Sequence, residues 1–440
     1  MTEQLEGYAS PVTGLLTDLY ELRMAESYLK RGMTADATFS LYIRPTTNRP
    51  WWVALGVERV LGFVERFAFD DDELTYLSTV GFSDDALAAF SKLEARGEIV
   101  AVADGTVVLA DEPILEITAP LPLAQIWETA VINLVQYPTL VATKAARVAF
   151  AAAGRPVVDF GFRRAHGLET GIEAAYAAYV GGGMTTSNVE AGRRYGIAVV
   201  GTMAHAFVQS QPSQAEAFRA WVEDHPDYST LLVDTYDTLD GVADAIALAE
   251  EGLPVDGIRL DSGDLVELSR AARAMLDDAG LRGVRIFASG GLDEHEIARL
   301  VSAGAAIDAF GVGTDLVVSA DRPAAEIAYK LVSYDGRDVV KASPGKETLA
   351  GAKQIFRRDD PTGDVLALRH ESFPGRSLLQ PVWRDGERLC SFDIEDTRTR
   401  ADAELQAIPE ALRPPDHEGA VPRPRISEEL RARTERLRHG

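Results

Sequence analysis

The chain has 440 residues, with 44 Lys or Arg against 68 Asp or Glu, so its formal net charge is −24. A negative field of this size disfavours nonspecific binding to nucleic acid or to an anionic membrane, since both need neutralising Lys and Arg surfaces. The single cysteine, Cys390, excludes an intrachain disulfide and a cysteine-rich metal site. The N-terminus lacks the pattern of a secretory signal, and no apolar run approaches the ~20 residues of a membrane helix. We therefore expect a cytoplasmic protein with no membrane or nucleic-acid partner.

Residues 1–150 mix helical and strand patterns, which predicts an N-terminal α+β domain. A helix is predicted over 17–32, between a capping residue and a Lys-Arg-Gly stop, and an alternating strand over 37–44. The apolar stretch 124–154 predicts one or two largely buried helices, with a break at Pro138.

The pattern changes between 151 and 334, where short apolar runs end in polar or Gly-rich tips and are followed by helical stretches. Buried parallel strands alternating with helices indicate a βα architecture. Seven such units suit a seven-stranded βα barrel, although an open doubly wound sheet has the same local pattern. The seven runs are PVVDFGFRR (156–164), MTTSN (184–188), IAVVGTMAH (197–205), TLLVDTYD (230–237), GIRLDSGD (257–264), VRIFASGG (284–291) and IDAFGVGT (307–314).

The chain beyond the barrel returns to irregular strand patterns. We expect residues 335–395 to rejoin the N-terminal domain, and residues 396–440 to form C-terminal surface helices around a Pro-rich link. The predicted fold class is therefore α/β, a barrel with a second α+β domain built from both ends of the chain.

Polar side chains gather at the predicted strand tips. Because the carboxyl ends of barrel strands meet at one face, this ring predicts an active site. Carboxylates there bind ribose hydroxyls or hold Mg²⁺ beside a phosphate, while Asp264 fits equally well as the cap of the next helix. The ring consists of Asp159, Arg163, Arg164, Asn188, Thr202, His205, Asp234, Asp237, Arg259, Asp261, Asp264, Ser289 and Thr314.

Two further features indicate a phosphorylated ligand. The last two tips, ASGGL (288–292) and GVGTDL (311–316), are Gly-rich, and such tips bind phosphate through backbone N–H groups. Four of the seven lysines lie between 330 and 353, which fits either a cationic arm for phosphate or a solvated loop. His205 and His166 are competing candidates for a functional histidine. Neither a P-loop nor a Rossmann glycine motif occurs.

Taken together, the tip motifs resemble nicotinate phosphoribosyltransferase, in order from about 15 to 360. The resemblance implies a type II phosphoribosyltransferase with an irregular seven-stranded barrel, usually a homodimer. Such enzymes make nicotinate mononucleotide and pyrophosphate from nicotinate and phosphoribosyl pyrophosphate, coupled to ATP hydrolysis through a phosphohistidine. The matching motifs are TDLYELRM (17–24), DFGFRRAHG (159–167), TSN (186–188), GTMAHAF (201–207), VDTYDT (233–238), RLDSGDL (259–265), ASGGLDE (288–294) and GVGTDL (311–316).

The same resemblance implies a role for each site residue. His205 is the phosphorylated residue, and Asp234 and Asp261 meet the ribose and a Mg²⁺ on the pyrophosphate. The implied nicotinate contacts are Tyr20, donated by a second subunit, with Phe160, Arg163, Thr202 and Arg259. The implied contacts to phosphoribosyl pyrophosphate are Arg44, Ser289, Gly290, Gly291, Gly313, Thr314, Lys341 and Lys346, and the cationic ones are also candidates for ATP.

Several alternatives remain. Relatives that use nicotinamide resemble one another in an acidic residue just after the Gly-Thr of the third strand, where this chain has Met203. Quinolinate enzymes are shorter and need more cations for a second carboxylate. An aldolase would need a lysine at a strand tip for a Schiff base, and none of the seven tips has one. A phosphosugar-binding barrel, an isomerase and a catalytically inactive regulatory relative complete the set, although an inactive relative would have lost His205 or the Asp pair.

Overall fold

A computed structural model describes residues 13–343, 346–417 and 419–439. The segment 1–12, which carries most of the N-terminal pattern read above as lacking a secretory signal, lies outside the described residues. Among the residues described, no helix is both long and apolar enough to cross a membrane.

The chain divides into two compact units. The first comprises Lys144–Pro323 with Arg413–Asp416, and the second contains the remaining described residues. The boundaries predicted from sequence are 151 and 334. The second of these falls at the end of the strand Ile327–Tyr334, which belongs to the second unit.

The first unit is built on a six-stranded parallel sheet, and six of the seven predicted runs contain one of its strands. The seventh, 197–205, contributes only a parallel bridge between Thr186 and Val199. Val199 is 41% exposed, and no ladder joins it to Thr230–Leu232 within the described residues, so this run forms no regular strand. In spatial order the strands are Thr185–Thr186, Val157–Asp159, Ala309–Val312, Arg285–Ala288, Gly257–Leu260 and Thr230–Leu232.

Helices follow the strands of this unit, and side-chain caps fix where several of them begin. Asp237 accepts hydrogen bonds from the amides of Leu239 and Asp240, and Asp264 from those of Val266 and Glu267. The α-helices are Leu168–Gly182, Val189–Tyr195, His205–Gln209, Gln214–Asp224, Thr238–Glu250, Leu265–Asp278, Glu294–Ser302 and Thr314–Val317, with 3₁₀ turns at Phe162–Arg164 and Pro226–Tyr228.

The second unit contains a seven-stranded antiparallel sheet and two smaller sheets. The predicted strand 37–44 is its central strand Asp36–Ile43. The seven strands lie in the order Arg337–Asp338, Ile327–Tyr334, Asp36–Ile43, Pro113–Pro120, Glu98–Ala101, Gln380–Arg384 and Glu387–Arg388. The smaller sheets comprise Arg376–Ser377, Lys353–Arg357, Val365–Leu368 and Arg425–Ile426, and Trp52–Val53 with Val107–Val108.

The helices of the second unit include the predicted 17–32 segment, which is helical over Leu19–Lys30. The predicted C-terminal surface helices are Ile394–Gln406 and Glu428–His439, and each buries one face, with Ala401 and Leu430 inaccessible to solvent. The other α-helices are Val57–Val64, Asp71–Thr79, Asp84–Phe90, Leu121–Ile126 and Glu128–Ala151, the last continuing into the first unit, with 3₁₀ turns at Pro361–Gly363 and Glu410–Leu412.

The break predicted at Pro138 is wrong, because the helix Glu128–Ala151 runs through it. Tertiary contacts hold the helix next to the proline: Thr139 bonds both the amide and the carbonyl of Leu55, at 3.1 and 3.0 Å. Thr143 accepts from the amide of Val53 at 3.0 Å. The interruption lies instead at Trp127, between this helix and Leu121–Ile126.

Candidate active site

Asp159 ends its strand and organises the first tip. Its carboxylate accepts hydrogen bonds from the Gly161 amide and the Thr186 hydroxyl, both at 2.8 Å. Burial raises the pKa of this carboxyl, although the two hydrogen bonds oppose the shift. Asp159 therefore joins two neighbouring tips and is too enclosed to meet a ligand.

Phe160, the next residue, turns its ring across the sheet. Its amide donates to the Val312 carbonyl at 2.8 Å. The ring centroid lies 5.7 Å from that of Phe287, and the guanidinium carbon of Arg259 stands 5.0 Å from it. A Cβ on Gly311 would lie 2.6 Å from two atoms of this ring, so only glycine leaves room for it.

Arg259 connects three tips. Its Nε donates to the Ser289 hydroxyl at 2.7 Å, and one Nη donates to the Thr202 hydroxyl at 3.0 Å. The other Nη donates to Asp261 Oδ1 at 2.8 Å. The sequence pattern predicts each of these residues at a strand tip, and the structure brings them together around one guanidinium.

Asp234 and Asp261 lie side by side. Asp234 Oδ2 accepts from the Asp261 amide at 2.9 Å and from the Ser262 hydroxyl at 2.6 Å. Asp234 Oδ1 is buried and has no hydrogen-bond partner among the described residues. Burial would raise the pKa of Asp261, but the Ser289 hydroxyl and the Arg259 charge outweigh it and lower that pKa, so this carboxylate is ionised at neutral pH.

His205 is the first residue of the short helix His205–Gln209, and its side chain is 42% exposed. Its Nδ1 lies 3.1 Å from the Thr235 hydroxyl, which fixes the ring orientation. Its Nε2 lies 3.8 Å from Asp261 Oδ2, beyond hydrogen-bond distance. The ring therefore faces the carboxylate pair and is accessible to a substrate. His166, the competing histidine, is exposed in the segment after Arg164.

The Gly-rich tips have the backbone that their sequences predict. Gly290 and Gly291 have φ of +92° and +62°, a region that favours glycine. A Cβ on Gly290 would lie 2.0 Å from the Asp261 carbonyl oxygen, whereas one on Gly291 would meet open space. Gly313 precedes the exposed Thr314, the first residue of a single helical turn.

The remaining predicted site residues are not part of this cluster. Arg163 is exposed in the 3₁₀ turn after Phe160 and forms no ion pair within the described residues. The others belong to the second unit: Tyr20, Arg44, Lys341 and Lys346.

The lysine-rich segment 330–353 divides into two kinds of residue. Lys330 lies 3.5 Å from Glu128, and the buried Lys353 lies 3.2 Å from Glu116, so both serve the packing of their own unit. Lys341 and Lys346 are exposed. Only these two of the four are available to a ligand.

Three hydroxyl residues beside the site were not predicted from the sequence. Thr235 holds His205, Ser262 holds Asp234, and Thr186 holds Asp159. Thr235 directly follows Asp234 in VDTYD and Ser262 directly follows Asp261 in LDSGD, so adjacency to a tip carboxylate is the signal that could have found both. By contrast, Asp264 and Asp237 are occupied as helix caps.

Comparisons with known proteins agree with this geometry. The model of the nicotinate phosphoribosyltransferase N-terminal domain matches residues 15–136, and the model of the quinolinate phosphoribosyl transferase C-terminal domain matches residues 141–321. A Mycobacterium tuberculosis nicotinate phosphoribosyltransferase is 43% identical over 98% of this chain and 95% of its own length. A Bacillus subtilis nicotinate phosphoribosyltransferase is 41% identical over 85% of this chain and 80% of its own.

A solved structure gives the same result for the fold. The crystal structure of human nicotinic acid phosphoribosyltransferase matches with a TM-score of 0.80 at 27% identity, covering 96% of this chain and all of that one. The likeness thus spans both units, and the full-length relatives decide between the two family names that the separate domain models carry. The chain belongs to the nicotinate phosphoribosyltransferase family.

Proposed function

We propose that the chain forms nicotinate mononucleotide and pyrophosphate from nicotinate and phosphoribosyl pyrophosphate, coupled to ATP hydrolysis through phosphorylated His205. The observation that carries the proposal is the single cluster in which His205, an ionised Asp261, Asp234 and Arg259 meet beside an aromatic face. The expected location is the cytoplasm.

Nicotinate is a flat anion, and the cluster offers a face and a charge for it. Phe160 supplies the stacking surface, and Arg259 and Thr202 supply the donors that meet the carboxylate or the ring. Arg163, exposed two residues after Gly161, is a second cation for the carboxylate. Met203, buried and without an acceptor, offers nothing to a carboxamide NH₂, which favours the acid over the amide.

The carboxylate pair suits the sugar diphosphate. Within the described residues no group of three His, Cys, Asp or Glu side chains could hold a metal. Mg²⁺ needs only one or two carboxylates when phosphates and water complete its shell. The unpartnered Asp234 Oδ1 and the ionised Asp261 fit that requirement, and Mg²⁺ would neutralise charge on the departing pyrophosphate. Ser289, Gly290, Gly291, Gly313 and Thr314 would hold the 5-phosphate.

The chemistry needs positioning rather than a base. The pyridine nitrogen carries no proton, so its lone pair attacks ribose C1 as the C1–O bond to pyrophosphate breaks. Positive charge develops on the sugar, and Asp234 and Asp261 lie where they can stabilise it. Phe160 and Arg259 orient the ring for this displacement.

His205 supplies the coupling to ATP. Its ring takes the γ-phosphoryl group with release of ADP, and water later removes that group as phosphate. The phosphorylated ring, held by Thr235, places a strong anion beside Asp261 and any Mg²⁺ bound there, which orders the site for its substrates.

The second unit contributes in trans. Tyr20 is 52% exposed, as a stacking residue for a neighbouring subunit must be, and we propose a homodimer in which it completes the nicotinate site. Arg44, Lys341 and Lys346 are proposed contacts to the pyrophosphate group or to ATP.

Labelling with γ-³²P-ATP tests the coupling. We expect acid-labile label on the parent chain, none on His205→Ala, and parental labelling on His166→Ala, the matched exposed histidine. ATP hydrolysis stimulated by nicotinate should likewise disappear only in His205→Ala. Undiminished labelling or ATPase activity of His205→Ala would contradict the phosphohistidine.

A further inference from the structure

The second unit contains a cleft of about 440 Å³ outside the barrel cluster. Its walls come from four separate parts of the chain: the end of the strand Asp36–Ile43, the segment 346–353, the residues before the strand Arg425–Ile426, and the last turn of the helix Glu428–His439. The C-terminal segment, to which the resemblance gives no role, thus forms part of this cleft.

The cleft is cationic within a strongly acidic chain. Five basic side chains line it, against two carboxylates, Asp111 and Glu347. The basic residues are Arg44, Lys346, Lys353, Arg423 and Arg438.

Not all of this charge is neutralised internally. Lys353 is held by Glu116, and Arg423 lies 3.5 Å from Asp111. Arg44, Lys346 and Arg438 form no ion pair with any carboxylate of the described residues. An excess of cations in a concave site is a binding arrangement for an anion of high charge, and guanidinium groups suit phosphate through paired N–H donors.

We propose that Arg423 and Arg438 of the C-terminal segment complete, with Arg44 and Lys346, a binding cleft for a diphosphate group. The inference rests on the proposed function in one respect, that Arg44 and Lys346 were assigned above to the pyrophosphate or ATP. It adds the two C-terminal arginines and gives the C-terminal helix a part in binding.

Calorimetric titration of the full chain with inorganic pyrophosphate tests the cleft. We expect Arg438→Gln and the double variant Arg423→Gln/Arg438→Gln to weaken binding, the double variant by roughly ten-fold. Arg436→Gln, an exposed arginine of the same helix outside the cleft, is the matched control and should bind as the parent does.

Two further arms identify the source of the diphosphate group. Competition by phosphoribosyl pyrophosphate or by ATP that weakens in Arg438→Gln supports the cleft and names the compound that uses it. Arg438→Gln alone keeps the test sound if the double variant folds poorly, since Arg438 makes no ion pair that its loss would break. Parental pyrophosphate affinity in a folded Arg438→Gln and double variant overturns the inference.

Failure of this inference is distinguishable from failure of the proposed function. If the parent chain makes nicotinate mononucleotide and the arginine variants bind pyrophosphate unchanged, only the cleft is wrong. If the parent makes no product, the proposed function fails, and the pyrophosphate titration still decides the cleft.

Discussion

Replacing Gly311 by Ala should damage nicotinate use through a single aromatic ring. The added Cβ would lie 2.6 Å from Cδ2 and Cε2 of Phe160 and 3.1 Å from Cε1 of Phe287. Carbon atoms prefer about 3.5–4.0 Å, so the Phe160 ring must move by roughly 1 Å. Overpacking of this kind costs about 1–3 kcal/mol of stability. Losing the stacking geometry, worth ~0.5–1.5 kcal/mol, should lower kcat/KM for nicotinate about 2- to 13-fold.

The assay is steady-state pyrophosphate release with nicotinate varied, at a temperature where the variant is folded. Gly257→Ala is the matched control, because this strand glycine also has close neighbours, with a Cβ 3.1 Å from the Arg285 carbonyl oxygen, but lies at the opposite end of its strand from the tips. It should lose stability without losing kcat/KM. An unchanged kcat/KM in a folded Gly311→Ala would refute the reasoning, as would an equal loss in Gly257→Ala.

Three further substitutions separate the features described above. Gly290→Ala should raise KM for phosphoribosyl pyrophosphate, because its Cβ overlaps a backbone carbonyl, whereas Gly291→Ala should cost only about 1 kcal/mol of stability; equal kinetic effects would argue against the steric cause. Burial, aided by a nearby carboxylate, raises the pKa of Glu21 to about 7, so the folded state binds this proton more tightly and stability falls as pH rises from ~4.5 through 7. Glu21→Gln should therefore melt higher than the parent at pH 8 but not at pH 5, and parallel pH profiles would contradict this. Arg357→Met should cost ~3–5 kcal/mol in denaturant unfolding, because it leaves the carboxylate of Asp364 buried without its cation; a loss under 1 kcal/mol would contradict a paired buried charge.

Strand tips were predictable from the sequence because periodicity and turn chemistry are local. Six of the seven predicted runs hold a strand of the parallel sheet, and the carboxyl ends of such strands must meet. That rule alone brings Arg259 to Thr202 and Ser289, residues far apart in the chain.

Features decided by long-range packing were not predictable in this way. Pro138 stays helical because Thr139 and Thr143 are held by the chain near Leu55, a contact that no local pattern contains. Thr235 is one hydroxyl among many until the fold places it on His205. The lysines of 330–353 look alike in sequence, and only their ion pairs distinguish Lys353 from Lys346.

The central claim is that this chain joins nicotinate to the ribose of phosphoribosyl pyrophosphate. The most direct measurement is mononucleotide formation by the purified chain from nicotinate or nicotinamide, each with and without ATP. The account predicts product from nicotinate, increased by ATP, and far less from nicotinamide. Preference for nicotinamide, or no mononucleotide from nicotinate in either condition, would contradict it.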